Sequence, residues 1–577
     1  MASVQAVGTT LAAVTALAVS IAVEGPGDVP EALERAAEAA RDGASLVEWR
    51  LDALADGEEG LAASLRLLRE SPLPCIATCR PRWEGGAYDG DDQERIAFLE
   101  ALGTSPHAPR YLDVELAAFQ RSANLRQKVE LVVDHEHQPR DLKTSLILSA
   151  HDFQTRPPDL ARRLAAMQAA SSCAVCKIAW RARSLRDNLE AFELLRHRGK
   201  PLIALCMGPF GLPSRVLAGK FGGFLTFASA EGAAATAPGQ PSIRELRDLY
   251  RFDHIGPATR VYGVVGWPVE HSRSPLLHNR GFEAVGHDGV YLPLPIPPEW
   301  EHFTATMGAL VDDPALDFRG ASVTLPHKEN LLRFVKERGG TVDAASEAIG
   351  SANTLVVGDD GALRALNTDA AAALETLVVD ASLDRADLPR LRVAVLGAGG
   401  AARAVAWALA GAGAKVILFN RDQARAERLA AELSGRAAAT GERLSVVAGR
   451  PEAISCGCFE VVVNCTPVGM RGGPEPDGSP LPQEFPFEAG VTVFDTVYTP
   501  RLTPLLREAR SRGARTVGGT GMFLRQAAAQ FAAWTGQEAP MEAWTTLLGR
   551  EDRSSTRPAA LPRDFDDPAD PSRSDLP

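Results

Sequence analysis

Lys177 stands inside the apolar run CAVCKIA at 173–179. A lysine is rarely buried unless it is paired or functional. Desolvation favours the neutral amine, which is a nucleophile toward a carbonyl carbon. The alternative is a strand lysine whose amine reaches a neighbouring carboxylate, and the residues alone leave both open. His151 follows the apolar run SLILSA at 145–150 and would supply a general base beside an imine. Arg50, Arg80 and Arg215 lie at or beyond the ends of other apolar runs, with Glu48, Asp52, Glu84, Asp113 and Glu115 among them. Several arginines beside a lysine and a histidine suit an anionic, oxygen-rich substrate.

A second set of residues suits a nucleotide. VAVLGAGGAAR is an apolar strand running into a glycine turn and a helix, and Gly397, Gly399 and Ala402 fit G-x-G-x-x-G/A. Gly397 permits the turn, and Gly399 lets backbone approach a pyrophosphate at the helix N-terminus. Ala398, Gly400 and Ala401 complete that turn. The next strand, KVILFNRD, ends about 20 residues later, where an NAD-binding protein places an acid on the ribose. Here the strand end carries Asn420 and Arg421, with Arg425 one turn on. Two arginines suit a 2′-phosphate, hence NADP(H), and Asp422 is a mild contrary sign. Ahead of this motif, Ser272 and Ser274 flank Arg273. In an extended segment both hydroxyls would point one way; the alternative is a helix cap with Pro275 at the first helical position. Lys328 follows Pro326, Asn353 lies in SANTL, and Asp369 opens a helix. Alone, either charge could be a solvated surface residue.

Apolar runs at 17–23, 45–51, 74–79, 110–116, 145–150, 173–179, 201–206 and 223–228 alternate with amphipathic stretches. That pattern predicts a (β/α)8 barrel over 14–256, with its chemistry at the C-terminal strand ends. LVVDHEH at 131–137 reads as an extra strand in a short hairpin, with His135 and His137 in a polar turn in preference to a metal pair. The joint near 257–259 has no Gly/Ser-rich slack, so the units it connects stand in a defined relation. Beyond it, residues 258–372 and 521–549 are expected to form one lobe and 388–520 a Rossmann-type nucleotide lobe, with ligand in the cleft between them. The tail, 551–577, lacks apolar periodicity and is expected to be disordered, and residues 1–13 to be loose.

The 577 residues carry a net charge of −12, which argues against a nucleic-acid surface. Eight cysteines in so long a chain are not a disulfide framework, and no second pair completes a zinc site with Cys173 and Cys176. The run from Leu11 to Val23 is too short to span a bilayer, and no Lys or Arg precedes Arg35 as a signal peptide would require. A cytoplasmic enzyme of small molecules, with no membrane partner and no metal, is expected.

EWRLD, ATCRPRWEGG, SAHDF, CKIA, MGPFGLPSR and TAPGQ occur in order, and together they resemble type I 3-dehydroquinate dehydratase. The resemblance implies that Lys177 forms a Schiff base, that His151 moves the proton and that Glu84 orients His151. It further implies that Arg215 holds the substrate carboxylate, while Ser20, Glu48, Arg50, Arg80, Thr236 and Gln240 bind hydroxyls or order the pocket. Position 236 is often serine in that family; the threonine here keeps a hydroxyl. HSRSP, VTLPHK, ANTL, NTDA, GAGGAAR, NCTPVGM, YTPRLTPLL and GGTGMFLRQAAAQF resemble shikimate dehydrogenase. By that resemblance Lys328 and Asp369 are the acid–base pair. Ser272, Ser274, Thr324, Asn353 and Gln526 bind substrate, and Thr466, Tyr498 and Gly519 line the nicotinamide pocket. The implied substrates are 3-dehydroquinate, 3-dehydroshikimate and shikimate, in consecutive steps. Three other readings are a quinate-preferring dehydrogenase using NAD, a barrel without catalysis, and a Schiff-base aldolase. The retained Lys177 and His151 argue against the second.

Overall fold

The computed structural model describes residues 15–230, 239–439, 441, 443–456, 458–487 and 490–554. The first eight apolar runs form strands: β1 (Ala16–Ala22), β2 (Leu46–Arg50), β3 (Cys75–Thr78), β4 (Tyr111–Glu115), β5 (Ser145–Asp152), β6 (Cys173–Arg181), β7 (Leu202–Met207) and β8 (Leu225–Ser229). They are continuous in Val, Ile, Leu and Ala because a parallel sheet wrapped by helices is buried on both faces. β1 pairs in parallel with both β2 and β8, and each later strand pairs with the next as far as β7. Between β7 and β8, the Phe224 N–H donates to the Leu202 carbonyl at 2.9 Å, so the sheet closes nearly into a barrel.

Residues 131–137 are not a strand. The helix Ala123–Glu130 ends there, and the segment turns back with one ladder-like bond, Asp134 N–H to Thr144 O at 2.7 Å. Val132 and Val133 are buried under the barrel, so their apolarity reports burial alone. His135 and His137 lie in the polar turn that follows, with His135 Nε2 at 3.1 Å from the Glu130 carbonyl. The disorder expected from residue 551 also needs correction at its start, because the last helix runs Met541–Ser554. Its Trp544 and Leu548 are buried against the second sheet's helices and extend its packing. Residues 1–13, Thr236 and the remainder of the tail lie outside the described residues.

β9 (Arg260–Gly266), β10 (Gly289–Pro295), β11 (Phe318–Val323), β12 (Thr341–Val342), β13 (Thr354–Val357) and β14 (Leu363–Leu366) form a mixed sheet in the order β10-β9-β11-β13-β14-β12. A third sheet is wholly parallel: β15 (Arg392–Leu396), β16 (Lys415–Phe419), β17 (Val446–Ala448), β18 (Val461–Asn464), β19 (Thr492–Asp495) and β20 (Arg515–Val517). Its order, β17-β16-β15-β18-β19-β20, reverses direction between β15 and β18. That is the doubly wound order, and ligands bind at its switch point. The helix Thr520–Thr535 returns from the third sheet to the second, where the Trp534 indole N–H donates to Leu355 O at 2.9 Å.

The joint is held rather than tethered. Lys220, from the barrel, donates to the carbonyls of Pro257 at 3.0 Å and Thr259 at 2.7 Å. Leu189, Phe192 and Leu217 of the barrel meet Leu292, Leu294 and Phe318 of the second sheet. One apolar cluster therefore runs from Leu17 to Ala365. Among the described residues no helix is long and apolar enough to cross a membrane.

Candidate active sites

The barrel interior collects the polar residues that its strands carry inward. Lys177 is buried on β6 and donates to Asp113 Oδ2 at 2.7 Å and Glu48 Oε1 at 3.2 Å. Its amine lies 4.5 Å from the centre of the Phe227 ring. The bland alternative, a lysine reaching a barrel carboxylate, therefore holds in the free protein, and it does not exclude the reactive one. Glu48 is held by the Ser20 hydroxyl at 2.6 Å and the Thr78 hydroxyl at 3.0 Å. Burial would raise its pKa, yet Lys177 and Arg50 bring it below the ordinary value. Burial acts on Asp113 in the same way, but Arg80 and Lys177 hold its carboxyl well below the usual range.

Arg80 donates to Glu115 at 2.6 Å and Ser149 at 2.8 Å, and its other nitrogen lies 2.8 Å from Asp113. Its guanidinium is thus engaged with protein carboxylates and frames the lysine's partner. Arg50 is paired to Asp52 at 2.6 Å. Asp52 in turn accepts the main-chain N–H of Arg80 at 2.8 Å, so the two strand ends are tied.

On the neighbouring strand, Ser149 is in register with Lys177, and His151 stands one inward-facing position further along. Burial first, then the charges of Arg80 and Lys177, push the imidazole pKa well below 6.5, so His151 is a neutral base. Glu84 Oε1 accepts the His151 main-chain N–H at 2.9 Å, and Oε2 stands 3.8 Å from Nδ1. Burial raises the Glu84 pKa to about 8, against the lowering effect of Arg80. Gly85 has φ of +80°, and a Cβ there would lie 2.2 Å from the Phe153 ring, which stacks beside His151. Glycine is therefore required where the chain turns after Glu84.

Arg215 lies in the short helix Leu212–Val216 and is 2 % exposed. Among the described residues it has no carboxylate or hydrogen-bond partner, and its Nε is unsatisfied. Burial lowers its pKa to about 10. A buried, unpaired guanidinium is costly, and a substrate anion is the natural complement. Gln240 is buried near the end of β8. Asp113 and Glu115 were noted on β4 without a role, where DVE shows the inward alternation, whereas Ser149 and Arg95 were not noted. Arg95 is fully buried and paired to Glu115, and it comes from a helix whose pattern carries no sign of that role.

In the second unit, Lys328 Nζ lies 2.5 Å from Asp369 Oδ2. Each residue opens a helix, Lys328–Glu337 and Asp369–Asp380. A helix N-terminus favours the carboxylate and opposes the ammonium. The Lys328 stem rests on Gly400, where a Cβ would come within 2.8 Å of the lysine Cδ. The Lys328–Asp369 ion pair thus sits directly over the glycine turn. That turn follows β15: Gly397 has φ of +108°, its N–H donates to Phe419 O at 2.7 Å, and Gly399 faces open space. The helix Gly400–Gly411 begins there, with Ala401 in its first turn and Ala398 just before it. This cradle fits a dinucleotide pyrophosphate. At the end of β16, the Asn420 amide donates to Asp422 O at 3.0 Å, exposed Arg421 pairs with Glu475 at 3.1 Å, and the Arg425 N–H donates to Asp422 at 3.2 Å.

The Ser272–Ser274 segment is not extended. Ser272 Oγ accepts the Ser274 N–H at 3.3 Å, and the helix Ser274–Val285 starts with Pro275 in its first turn. The proline sets that start, so the two hydroxyls are placed by a turn. The Tyr498 ring stacks on Phe523, with centroids 4.2 Å apart. Thr324 follows β11, its N–H donating to Val265 O at 2.8 Å. The Asn353 amide donates to Thr368 at 2.9 Å, beside Asp369. The Gln526 amide donates to Phe523 O at 3.0 Å. Thr466 bonds Asn464 at 2.7 Å, and a Cβ on Gly519 would lie 2.4 Å from Thr496 O. Buried Gln530 went unnoticed in the sequence, although it lies four residues from Gln526 on the same helix face. It accepts from Ser322 at 2.7 Å, and Ser322 accepts from the Tyr291 hydroxyl at 2.6 Å.

Comparison with known proteins places this geometry. A family model described as type I 3-dehydroquinase matches residues 18–257. Models described as the shikimate dehydrogenase substrate binding domain, shikimate/quinate 5-dehydrogenase and the shikimate 5′-dehydrogenase C-terminal domain match 264–355, 380–448 and 519–543. The chain is 36% identical over 520 residues to the Arabidopsis thaliana protein named bifunctional 3-dehydroquinate dehydratase/shikimate dehydrogenase, chloroplastic, covering 88% of this chain and 80% of that one. Proteins named shikimate dehydrogenase (NADP(+)) match the second unit. That of Paramagnetospirillum magneticum is 44% identical, over 48% of this chain and 93% of its own, and that of Methanocella arvoryzae is 40% identical, over 49% and 95%. With one relative matching through both units, the chain belongs to the family of bifunctional 3-dehydroquinate dehydratase/shikimate dehydrogenases.

Proposed function

We propose that the barrel dehydrates 3-dehydroquinate to 3-dehydroshikimate through a Schiff base on Lys177, and that the second unit reduces that product to shikimate with NADPH. What carries the reading is the pairing inside one barrel of a buried lysine amine with a buried arginine that lacks an anionic partner among the described residues. Arg215 takes the substrate carboxylate and sets the ketone toward Lys177. The amine adds to the ketone carbon and water leaves, giving an imine that acidifies the adjacent C–H. Neutral His151 removes that proton. It then returns the proton to the departing hydroxyl, and water hydrolyses the imine to release product. Asp113 and Glu48 hold the amine before addition, and Arg80 fixes Asp113 through its 2.8 Å contact. Ser20, Arg50, Thr236 and Gln240 order the pocket around the substrate hydroxyls, and Glu84 holds the His151 backbone.

In the second unit, NADPH supplies a hydride when bound. The turn 397–401 and the helix it opens receive the pyrophosphate, and Asn420, Arg421 and Arg425 receive the ribose 2′-phosphate. Thr466, Tyr498 and Gly519 border the nicotinamide. Ser272, Ser274, Thr324, Asn353 and Gln526 hold the substrate so that its carbonyl oxygen meets the Lys328–Asp369 pair, which gives that oxygen its proton. The division of labour follows residues 14–256, then 258–372 with 521–549, and 388–520. A cytoplasmic location belongs to the same reading. Eight cysteines spread over 577 residues are not a disulfide framework, which suits a reducing compartment. The Arabidopsis relative is named chloroplastic, and cell fractionation decides between the two. Borohydride reduction in the presence of 3-dehydroquinate tests the first step. Mass spectrometry should find the adduct on Lys177, and an adduct on another lysine, or none, would overturn the Schiff-base mechanism.

A further inference from the structure

We propose that Phe210, a barrel residue, positions the substrate loop of the dehydrogenase through Trp267. It thereby sets substrate affinity for a reaction catalysed on the other side of the interface. This rests on the reading that Ser272 and Ser274 bind the dehydrogenase substrate. The Phe210 and Trp267 rings lie 6.1 Å apart between centroids and 19° from parallel, an offset stack joining the two units.

Both rings stand on stiff backbone. On the barrel side, Asn188 clasps the turn after β7: its amide donates to Phe210 O at 2.8 Å, and its carbonyl oxygen accepts the Ser214 N–H at 3.0 Å. The Ser214 hydroxyl donates to Gly211 O at 2.8 Å and accepts the Cys206 N–H at 2.8 Å. A Cβ on Gly211 would lie 2.3 Å from Cys206 O, so the turn cannot relax around a side chain there. Phe210 is thus delivered to a defined place.

Across the interface, the Trp267 N–H donates to Leu325 O at 3.0 Å, which ties it to the segment between Thr324 and Lys328. A Cβ on the preceding Gly266 would lie 2.4 Å from the Thr324 side chain. The chain then turns, with the Ser272 N–H donating to Val269 O at 3.0 Å, and reaches Ser274 at the helix start. Trp267 is therefore the near end of the Ser272–Ser274 loop and the backbone neighbour of Thr324. Most of the apolar seam between the units is made by other, buried side chains, with Phe210 only at its edge, so the interface does not need this stack to close. Both rings are only half-buried, so truncating one removes an orienting contact without opening a core cavity.

Shikimate oxidation with NADP+ by the full chain tests this. Phe210→Ala should raise KM for shikimate about three- to tenfold. It should leave kcat within about twofold and KM for NADP+ unchanged, and Phe210→Tyr should restore the intact value. Phe210→Leu, which keeps apolar bulk without a ring plane, should behave as the alanine variant and guards against a folding defect. Trp267→Leu should give the same KM shift, and the double variant no more than either single one, as coupled partners do. An unchanged KM for shikimate in Phe210→Ala, additive single effects, or an equal shift in KM for NADP+ would overturn the proposal. An intact chain that does not oxidise shikimate would instead refute the assigned dehydrogenase function, and this proposal with it.

Discussion

Arg215→Met should make the protein more stable and the dehydratase nearly inactive. Burial lowers the Arg215 pKa from the ordinary arginine value to about 10, with no carboxylate among the described residues to oppose it. At about 1.4 kcal/mol for each pH unit, that displacement holds roughly 3 kcal/mol against folding. The folded pKa is below the unfolded one, so the cost is complete below about pH 10 and is lifted only as pH rises toward the ordinary arginine value. Methionine fills similar space without the charge, and a gain of about 1–3 kcal/mol is expected after imperfect packing. Each kcal/mol corresponds to roughly 2–4 °C in a domain of this size. The same change removes a bidentate contact to the substrate carboxylate. Two charge-assisted hydrogen bonds, at about 1.5–3 kcal/mol each, correspond to a loss of about 10²–10⁴ in kcat/KM. Calorimetry and a dehydration assay on one preparation read both effects, and shikimate oxidation should stay within about threefold as a control. A variant that melts lower than the intact protein would refute the account, because the guanidinium would then be satisfied by protein. A variant that keeps dehydratase kcat/KM within about tenfold would refute the carboxylate contact.

Below about pH 6.5 an unfolded His151 takes up a proton that the folded one refuses, so stability should fall as pH falls through that window. His151→Asn should flatten this acid limb in urea titrations and abolish dehydration. Glu84 acts in the opposite sense. Its folded pKa of about 8 lies above the ordinary 4.5, so its contribution is full below 4.5 and is lost as pH rises through 8. Glu84→Gln should therefore gain stability over the intact protein as pH rises, and should keep dehydratase kcat within about tenfold at pH 7; a variant equally stable at pH 5 and pH 8 relative to intact protein would contradict that assignment. Arg421→Ala with Arg425→Ala should raise KM for NADPH by about 30-fold or more and leave KM for NADH within about threefold, since about 2–3 kcal/mol of charge-assisted bonding to the 2′-phosphate is lost. Equal effects on both cofactors would refute the arginine assignment.

The barrel was legible because each of its strands is a short apolar run, and parallel strands covered by helices have no solvent face to blur that pattern. The same rule misled at Leu131–His137, where Val132 and Val133 are apolar because a loop tucks them under the barrel. The glycine turn after β15 was legible because Gly397 needs a left-handed φ and Gly400 must admit Lys328. Pairings across the fold were not. Nothing local to Arg95 announces its contact with Glu115, and Asp113 reads as one inward carboxylate among several until Lys177 and Arg80 converge on it. The Ser272–Ser274 geometry stayed open in the sequence because an extended segment and a helix start place serines at the same spacing, and the structure has the helix start, with Pro275 in its first turn. The stack of Phe210 on Trp267 joins residues just beyond strand ends in separate units, and no periodicity carries it.

The central claim is that one chain carries out two consecutive steps. The direct measurement is to supply 3-dehydroquinate to the purified full chain, with and without NADPH, and to identify products by chromatography and mass spectrometry. Without NADPH the reaction should stop at 3-dehydroshikimate. With NADPH it should proceed to shikimate, one NADPH being oxidised for each shikimate formed. Unchanged 3-dehydroquinate, cleavage of a carbon–carbon bond in place of water loss, or 3-dehydroshikimate accumulating while NADPH stays unoxidised would contradict the account.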